Sequence, residues 1–318
     1  MTLFLCLMLL AGPMRDAADL GNDAAIKLYE HGEYGQAVSL LSQQVQILPE
    51  NGSLLHWLGK SYLKLRKWDD AIRELEKAVQ CEPSNALYHL WLGRAYGRKA
   101  ENSSFLTAVG PARRVGKEFE IAVRLDPANL DARFDLLEFC LNAPGIVGGG
   151  RDKAIEQAAA IARINPLSGY GARAQIYEKD GKWDLALQEL TRATVEFPDS
   201  ARAYKDLADL LFQRDDFEGA AVNARKSLGS APSQGARLVL AAAQVKLSQD
   251  LPKAEQALSE LAAGPLGDLA PSFEEVYYWL GQAQLAQGKK SAARRSFERA
   301  LDYNPNYGPA RSVSDQVL

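Results

Sequence analysis

Residues 55–83 read LHWLGKSYLKLRKWDDAIRELEKAVQCEP. Leu55, Leu58, Tyr62 and Leu65 recur at three and four, the spacing that puts apolar side chains on one face of a helix. Arg66-Lys67 interrupts the stripe, and Asp69-Asp70 supplies carboxylates that favour a new helix N-terminus. Ala71, Ile72, Leu75, Ala78 and Val79 carry the stripe on to Pro83, which cannot extend a helix. The stretch therefore predicts two amphipathic helices joined by a tight turn.

The same text recurs outward from this stretch. A step of 34 residues turns Trp57, Leu58, Gly59 and Tyr62 into Trp91, Leu92, Gly93 and Tyr96, and a backward step turns Pro83 into Pro49. Farther on, KWDLALQELTRATVEFP (182–198) repeats KWDDAIRELEKAVQCEP (67–83). A fixed period of this size marks stacked supersecondary units. Gly59 and Gly93 fall inside first helices, where Gly costs about 0.5–1 kcal/mol relative to Ala, so their shared register predicts a close helix approach that excludes a Cβ. No segment sustains period-two alternation, and the expected fold class is all-α.

At these residues the chain resembles the tetratricopeptide repeat (TPR) family, W-x2-L-G-x2-Y…A-x3-F…P. The copies are Leu55-x2-Leu58-Gly59-x2-Tyr62…Ala71-x3-Leu75…Pro83, His89-x2-Leu92-Gly93-x2-Tyr96, and Tyr277-x2-Leu280-Gly281…Ala293-x3-Phe297…Pro305. Fainter copies start near Asp19, Leu130, Leu167, Ala201 and Gly235. The resemblance implies a right-handed superhelical solenoid of about eight helix-turn-helix repeats. The repeats run 18–51, 52–85, 86–129, 130–166, 167–200, 201–234, 235–273 and 274–307, with a capping helix over 308–318. Ten residues are inserted in GRKAENSSFLTAVGPARRVGKEFE, expected between the two helices of the third repeat, and about five in APGIVGGG at 143–150. Gly264 to Pro271 reads as a hinge. With APGIVGGGRDKA, the insertions resemble those of bacterial TPR proteins that carry apolar leaders.

Composition narrows the function. Lys+Arg total 37 against 40 Asp+Glu, a net charge of −3, without the basic surplus that binding nucleic acid requires. Three cysteines and three histidines are too few for a disulfide framework or the common metal sites, so no cofactor or metal is expected. Cys81 and Cys140 read as unpaired small apolar residues and His89 as a core residue at the consensus Trp register. Leu3–Ala11, an apolar run of nine residues, is too short to span a membrane but has the length of a signal-peptide core. No Lys or Arg precedes it. Residues 1–17 are thus expected to be an export leader, giving a periplasmic or secreted bacterial protein. The alternative is an apolar first helix on a cytoplasmic one.

Two features could carry function. The turn Gly145-Ile146-Val147-Gly148-Gly149-Gly150 precedes a helix, where exposed N–H groups attract phosphate. It is followed by Arg151-Asp152 rather than the Lys-Ser/Thr of a P-loop, and it follows a helix rather than a strand, so a lengthened turn with positive-φ glycines is the expected reading. The second feature is a groove. In TPR arrays the first helices line the concave face. The resemblance puts His56, Trp57, Lys60 and Lys64 there in the second repeat, and Leu90, Trp91, Arg94 and Arg98 in the third. Cations beside indoles suit a carboxylate or acidic peptide; the bland alternative is a solvated helix face. The TPR carboxylate clamp has Lys-x3-Asn where this chain has His56-x3-Lys60. The same registers turn acidic at Asp131, Asp135 and Glu138, mix Arg202, Lys205, Asp206 and Asp209 in the sixth repeat, and become apolar at Val239, Leu240, Ala243, Tyr278 and Trp279. The expected function is a non-catalytic scaffold or adaptor holding an acidic or C-terminal peptide of another protein. The rivals are an envelope-biogenesis or assembly chaperone and an enzyme holding a phosphorylated or glycosyl substrate at the Gly-rich turn.

Overall fold

The computed structural model describes residues 22–268 and 270–317, and within them every regular element is helical. The expected leader at 1–17 lies outside the described residues. The chain divides between Gln157 and Ala158 into two compact units.

In the first unit, residues 22–30 form α1, followed by α2 (Tyr34–Ile47), α3 (Gly52–Lys64), α4 (Trp68–Cys81), α5 (Ala86–Glu101), α6 (Phe105–Leu125) and α7 (Leu130–Asn142). A 3₁₀ turn (Gly145–Val147) then leads into α8 (Arg151–Ile164), which crosses the division. The second unit holds α9 (Pro166–Lys179), α10 (Trp183–Glu196), α11 (Ala201–Gln213), α12 (Phe217–Ser230), α13 (Gln234–Lys246), α14 (Leu251–Ala263), α15 (Phe273–Ala286), α16 (Lys290–Tyr303) and α17 (Gly308–Val317).

Local chemistry fixes both ends of each hairpin. First helices start on a polar N-cap: Asn51 accepts from the Leu54 N–H, Asn85 from Leu87, Asn129 from Ala132 and Asn165 from Ser168. Ser200, Ser233 and Ser272 do the same for Ala203, Ala236 and Glu275. Each cap satisfies an N–H that the helix leaves open, worth about 1 kcal/mol against Ala. The turn into the second helix needs a left-handed residue, supplied by Gly181 and Gly288 (φ 70° and 76°) but also by Arg66, Asp215 and Ser248 (φ 60°, 59° and 54°).

The paired helices close over a glycine notch. A Cβ on Gly59 would lie 2.5 Å from Leu75 Cγ, and one on Gly93 or Gly281 would lie 2.5 Å from a ring carbon of Phe119 or Phe297. In each case the blocking residue comes from the second helix of the same hairpin, as the shared register predicted. Between hairpins, Leu63, Ala71 and Leu75 join Trp91, Leu92 and Ala95 in one buried cluster, tying α3 and α4 to α5. Ala174, Ala186 and Leu190 do the same with Leu207 and Leu210 in the second unit.

One insertion differs from expectation. The ten added residues of the third hairpin do not form a loop: only Asn102–Ser104 separate α5 from α6. The residues lengthen the helices instead, and the 21-residue α6 carries Pro111 in its interior, past the first turn where proline is ordinarily tolerated. In the stretch expected to be a hinge, Leu266 is buried and the Gln234 side chain donates to the Pro265 carbonyl at 2.7 Å.

Candidate functional site

Trp57, Lys60 and Lys64 lie on α3, and Trp91, Arg94 and Arg98 on α5. Lys60 Nζ lies 3.6 Å from the Trp57 ring centroid, 4.5 Å from Trp91 and 4.9 Å from Tyr29. Lys60 is only 2% exposed. Three ring faces around one desolvated ammonium make Lys60 part of the wall. His56 is also buried, stacked on Tyr88 at 5.2 Å and edge-on to both Trp57 and Trp91. Lys64 Nζ sits 5.9 Å from Tyr29 and 6.0 Å from Tyr34.

Arg94 lies over Trp91 at 4.7 Å, and its Nε donates to Asp135 Oδ2 of α7 at 2.5 Å. The basic and acidic registers of neighbouring hairpins thus meet and neutralise each other. Burial pushes the Asp135 and Glu138 carboxyls up, and the Arg94 guanidinium opposes that for Asp135. Arg98 remains outermost: its side chain is 62% exposed and its bond to Glu101 (3.0 Å) is an i,i+3 surface pair, a type worth little. Tyr29, Tyr34 and Tyr88 belong to this face and were missed, because none of them repeats at the period that singled out the tryptophans.

Behind the strip, His89 does more than fill the consensus Trp position. Its Nδ1 donates to Glu118 at 2.7 Å and its Nε2 to the Pro83 carbonyl at 3.0 Å. A carboxylate and a carbonyl facing the two nitrogens favour the protonated ring. The pair is buried, with His89 6% and Glu118 4% exposed. The Glu118 bond, opposed by desolvation, raises the His89 pKa. Glu118 also meets Arg114 (3.5 Å), Arg114 reaches Glu76 (3.4 Å), and Tyr96 donates to Glu76 at 2.5 Å. Arg114 comes from the lengthened start of α6, which gives the insertion a structural use.

The Gly-rich turn spends its donors internally. Gly148 N–H bonds Gly145, Gly149 bonds Pro144 and Gly150 bonds Cys140. Gly148 takes φ +111°, and a Cβ on Gly149 would fall 1.8 Å from the Ala143 oxygen. These glycines serve a compact turn against Phe139, with those three N–H groups aimed at carbonyls rather than at an anion. Cys81 and Cys140 are free thiols, and no group of His, Cys, Asp and Glu among the described residues is placed to hold a metal ion. No described helix is long and apolar enough to cross a membrane.

The inner registers of the second unit differ in charge. On α11, Lys205 Nζ pairs with Asp209 at 2.6 Å and lies 3.9 Å from Asp206, which Arg202 meets at 3.5 Å. Burial pushes the carboxyls of Glu178, Asp206, Asp209 and Glu275 up, and Asp209 adds to the effect at Glu178 and Glu275. Trp279 is buried between Phe212 (5.6 Å) and Tyr278 (5.2 Å).

Tetratricopeptide repeat family models match residues 28–94, 172–235 and 274–307, together about half of the chain. The chain belongs to the tetratricopeptide repeat proteins, whose repeats form a protein-interaction scaffold. No curated protein matches it by sequence. Among solved structures it is similar to yeast Tom70, with TM-score 0.60 and 16% identity over 90% of this chain and 59% of that one. It spans well under two thirds of that protein's length. A thermophilic TPR protein of Thermus thermophilus aligns with TM-score 0.49 and 20% identity, over 61% of this chain and 99% of that one. A TPR protein of Parabacteroides merdae aligns with TM-score 0.47 and 14% identity, over 95% and 99%. At 16% identity, the likeness to Tom70 is one of fold alone.

Proposed function

We propose that this chain is a non-catalytic adaptor that holds a peptide segment of another protein against the inner face of its first helices. One observation carries the reading: inner registers of successive first helices touch, Lys60 with Trp91 and Arg94 with Asp135, each one helical step out of register, making a continuous face rather than isolated side chains. On the first unit, His56, Lys60, Trp91 and Arg94 form the framework of that face. Trp57, Lys64 and Arg98 are the contacts proposed for an acidic or C-terminal peptide. The apolar run Leu3–Ala11 supports the further proposal that the protein works outside the cytoplasm of a bacterium.

The test uses peptides selected by display against the full chain. Charge-assisted contacts are worth roughly 1.5–3 kcal/mol each. Replacing Lys64 and Arg98 together with Glu is therefore expected to weaken a selected acidic peptide by well over about tenfold. Helicity should be unchanged, because Arg98 is largely exposed. Unchanged affinity in that variant contradicts the proposed strip.

A further inference from the structure

In three hairpins the residue just before the notch filler is polar and buried: Glu74 before Leu75, Glu118 before Phe119 and Ser296 before Phe297. Each hairpin satisfies it differently. Glu74 pairs with Arg73 and Lys77 of its own helix, each at 2.9 Å, and Ser296 donates to Gln284 of α15 at 2.8 Å. Of the three, only Glu118 is answered by a histidine, the side chain whose ordinary charge change falls between about pH 5 and 8.

His89 joins three elements. From α5 its Nδ1 reaches Glu118 of α6 at 2.7 Å, and its Nε2 reaches the Pro83 carbonyl in the turn that leaves α4, at 3.0 Å. A protonated ring donates to both, whereas a neutral ring has one proton for two acceptors. The acceptors are not equivalent. Glu118 is buried, and a bare nitrogen lone pair turned on its carboxylate leaves a buried charge poorly satisfied. Pro83 is exposed, so its carbonyl exchanges the ring for water at little cost. The neutral ring therefore keeps its proton on Nδ1, and the bond it loses is the one to the turn. Arg114 of α6, 3.5 Å from Glu118, stays with the carboxylate and links it to Glu76 of α4, which also accepts from Tyr96. Arg124 of α6 opposes the charged ring. On the turn side stand Glu82 and Tyr88, 3.5 Å apart, with His56 of α3 stacked on Tyr88.

We propose that His89 is a proton-operated latch between the second and third hairpins: charged, it ties the α4–α5 turn to α6, and neutral, it releases the turn while keeping Glu118. The joint it controls is the one across which Lys60 of α3 meets Trp91 of α5, two residues beyond the latch. The raised His89 pKa puts release above the ordinary value of about 6.5, so the latch is closed below that value and opens as pH rises through the folded pKa. It operates whether or not a peptide is held.

The test is nitrogen NMR of the full chain, labelled at histidine and titrated from about pH 5 to 9, combined with amide hydrogen exchange. The His89 signals are assigned by their absence in His89→Phe. They should titrate with a midpoint above about 6.5, and the neutral ring should carry its proton on Nδ1. The Asn85 and Tyr88 amides, which bond the Glu82 and Asn85 carbonyls in the turn, report release. Corrected for the intrinsic pH dependence of exchange, their protection should fall roughly tenfold across that midpoint. Amides of α15 and α16, whose buried Ser296–Gln284 bond does not titrate, should change by less than about twofold. In Glu118→Gln the midpoint and the loss of turn protection should move together to lower pH. A parent midpoint at or below about 6.5, a neutral ring protonated on Nε2, or turn protection that does not follow the midpoint overturns the latch. These readouts come from the parent chain, so they decide the matter even if Glu118→Gln fails to fold.

Discussion

Gly93→Ala is the sharpest perturbation of the packing that holds the inner face in place. The new Cβ would lie 2.5 Å from Phe119 Cε1 and 2.6 Å from Cδ1, and Phe119 is only 5% exposed, with no open side to move into. Overpacking of this kind costs about 1–3 kcal/mol. The helix itself gains about 0.5–1 kcal/mol from Ala in place of Gly. The net expectation is a loss of about 1–2 kcal/mol, centred on the α5–α6 hairpin. Hydrogen exchange of α5 and α6 amides is the suitable readout, since a repeat array can open one hairpin at a time. The decisive arm repeats the substitution in a Phe119→Ala background. There the clash is gone, and Gly93→Ala should change sign and stabilise the hairpin by about 0.5–1 kcal/mol. Equal destabilisation in both backgrounds would refute the notch as the reason for the glycine.

Three further outcomes follow from the same geometry. The His89 pKa is raised by Glu118, so its contribution is complete below the unfolded value of about 6.5 and disappears as pH rises through the folded value. Thermal scans from mildly acidic to mildly alkaline pH should show Tm falling in the parent and a flatter profile in His89→Phe. Ser248 holds φ 54°, and the left-handed conformation costs an L-residue about 1–2 kcal/mol. After the extra chain entropy of Gly, Ser248→Gly should raise stability by about 0.5–1 kcal/mol in urea denaturation. Lys60→Glu puts a carboxylate among three ring faces and should destabilise the α3–α5 region by more than about 2 kcal/mol, read by hydrogen exchange around Trp57 and Trp91.

The helices were legible because their signals are periodic. The glycine register named the notch before Leu75, Phe119 and Phe297 were seen to fill it, and the tryptophan register named the rows. What could not be read was pairing across rows. Lys60 read as a groove contact for a peptide, because the rings that enclose it come from three helices, one of them carrying Tyr29 outside any repeated position. Arg94 and Asp135 were both singled out, yet the longer third repeat separates them by 41 residues, hiding that they sit side by side. His89 looked apolar by register, and nothing local announces Glu118 on the extended α6. The caps Asn51 and Asn85, 34 residues apart, were a periodic signal available in the text and left unread.

The central claim is that the first helices, and not the second, face the partner. A photo-crosslinking residue placed at Arg98 on α5, and separately at Lys117 and Glu120 on the exposed side of α6, tests it with the display-selected acidic peptide. The account predicts a peptide adduct from position 98 that an excess of unlabelled peptide abolishes, and none from positions 117 or 120. Adducts of equal yield from all three, or from 117 and 120 alone, would contradict it.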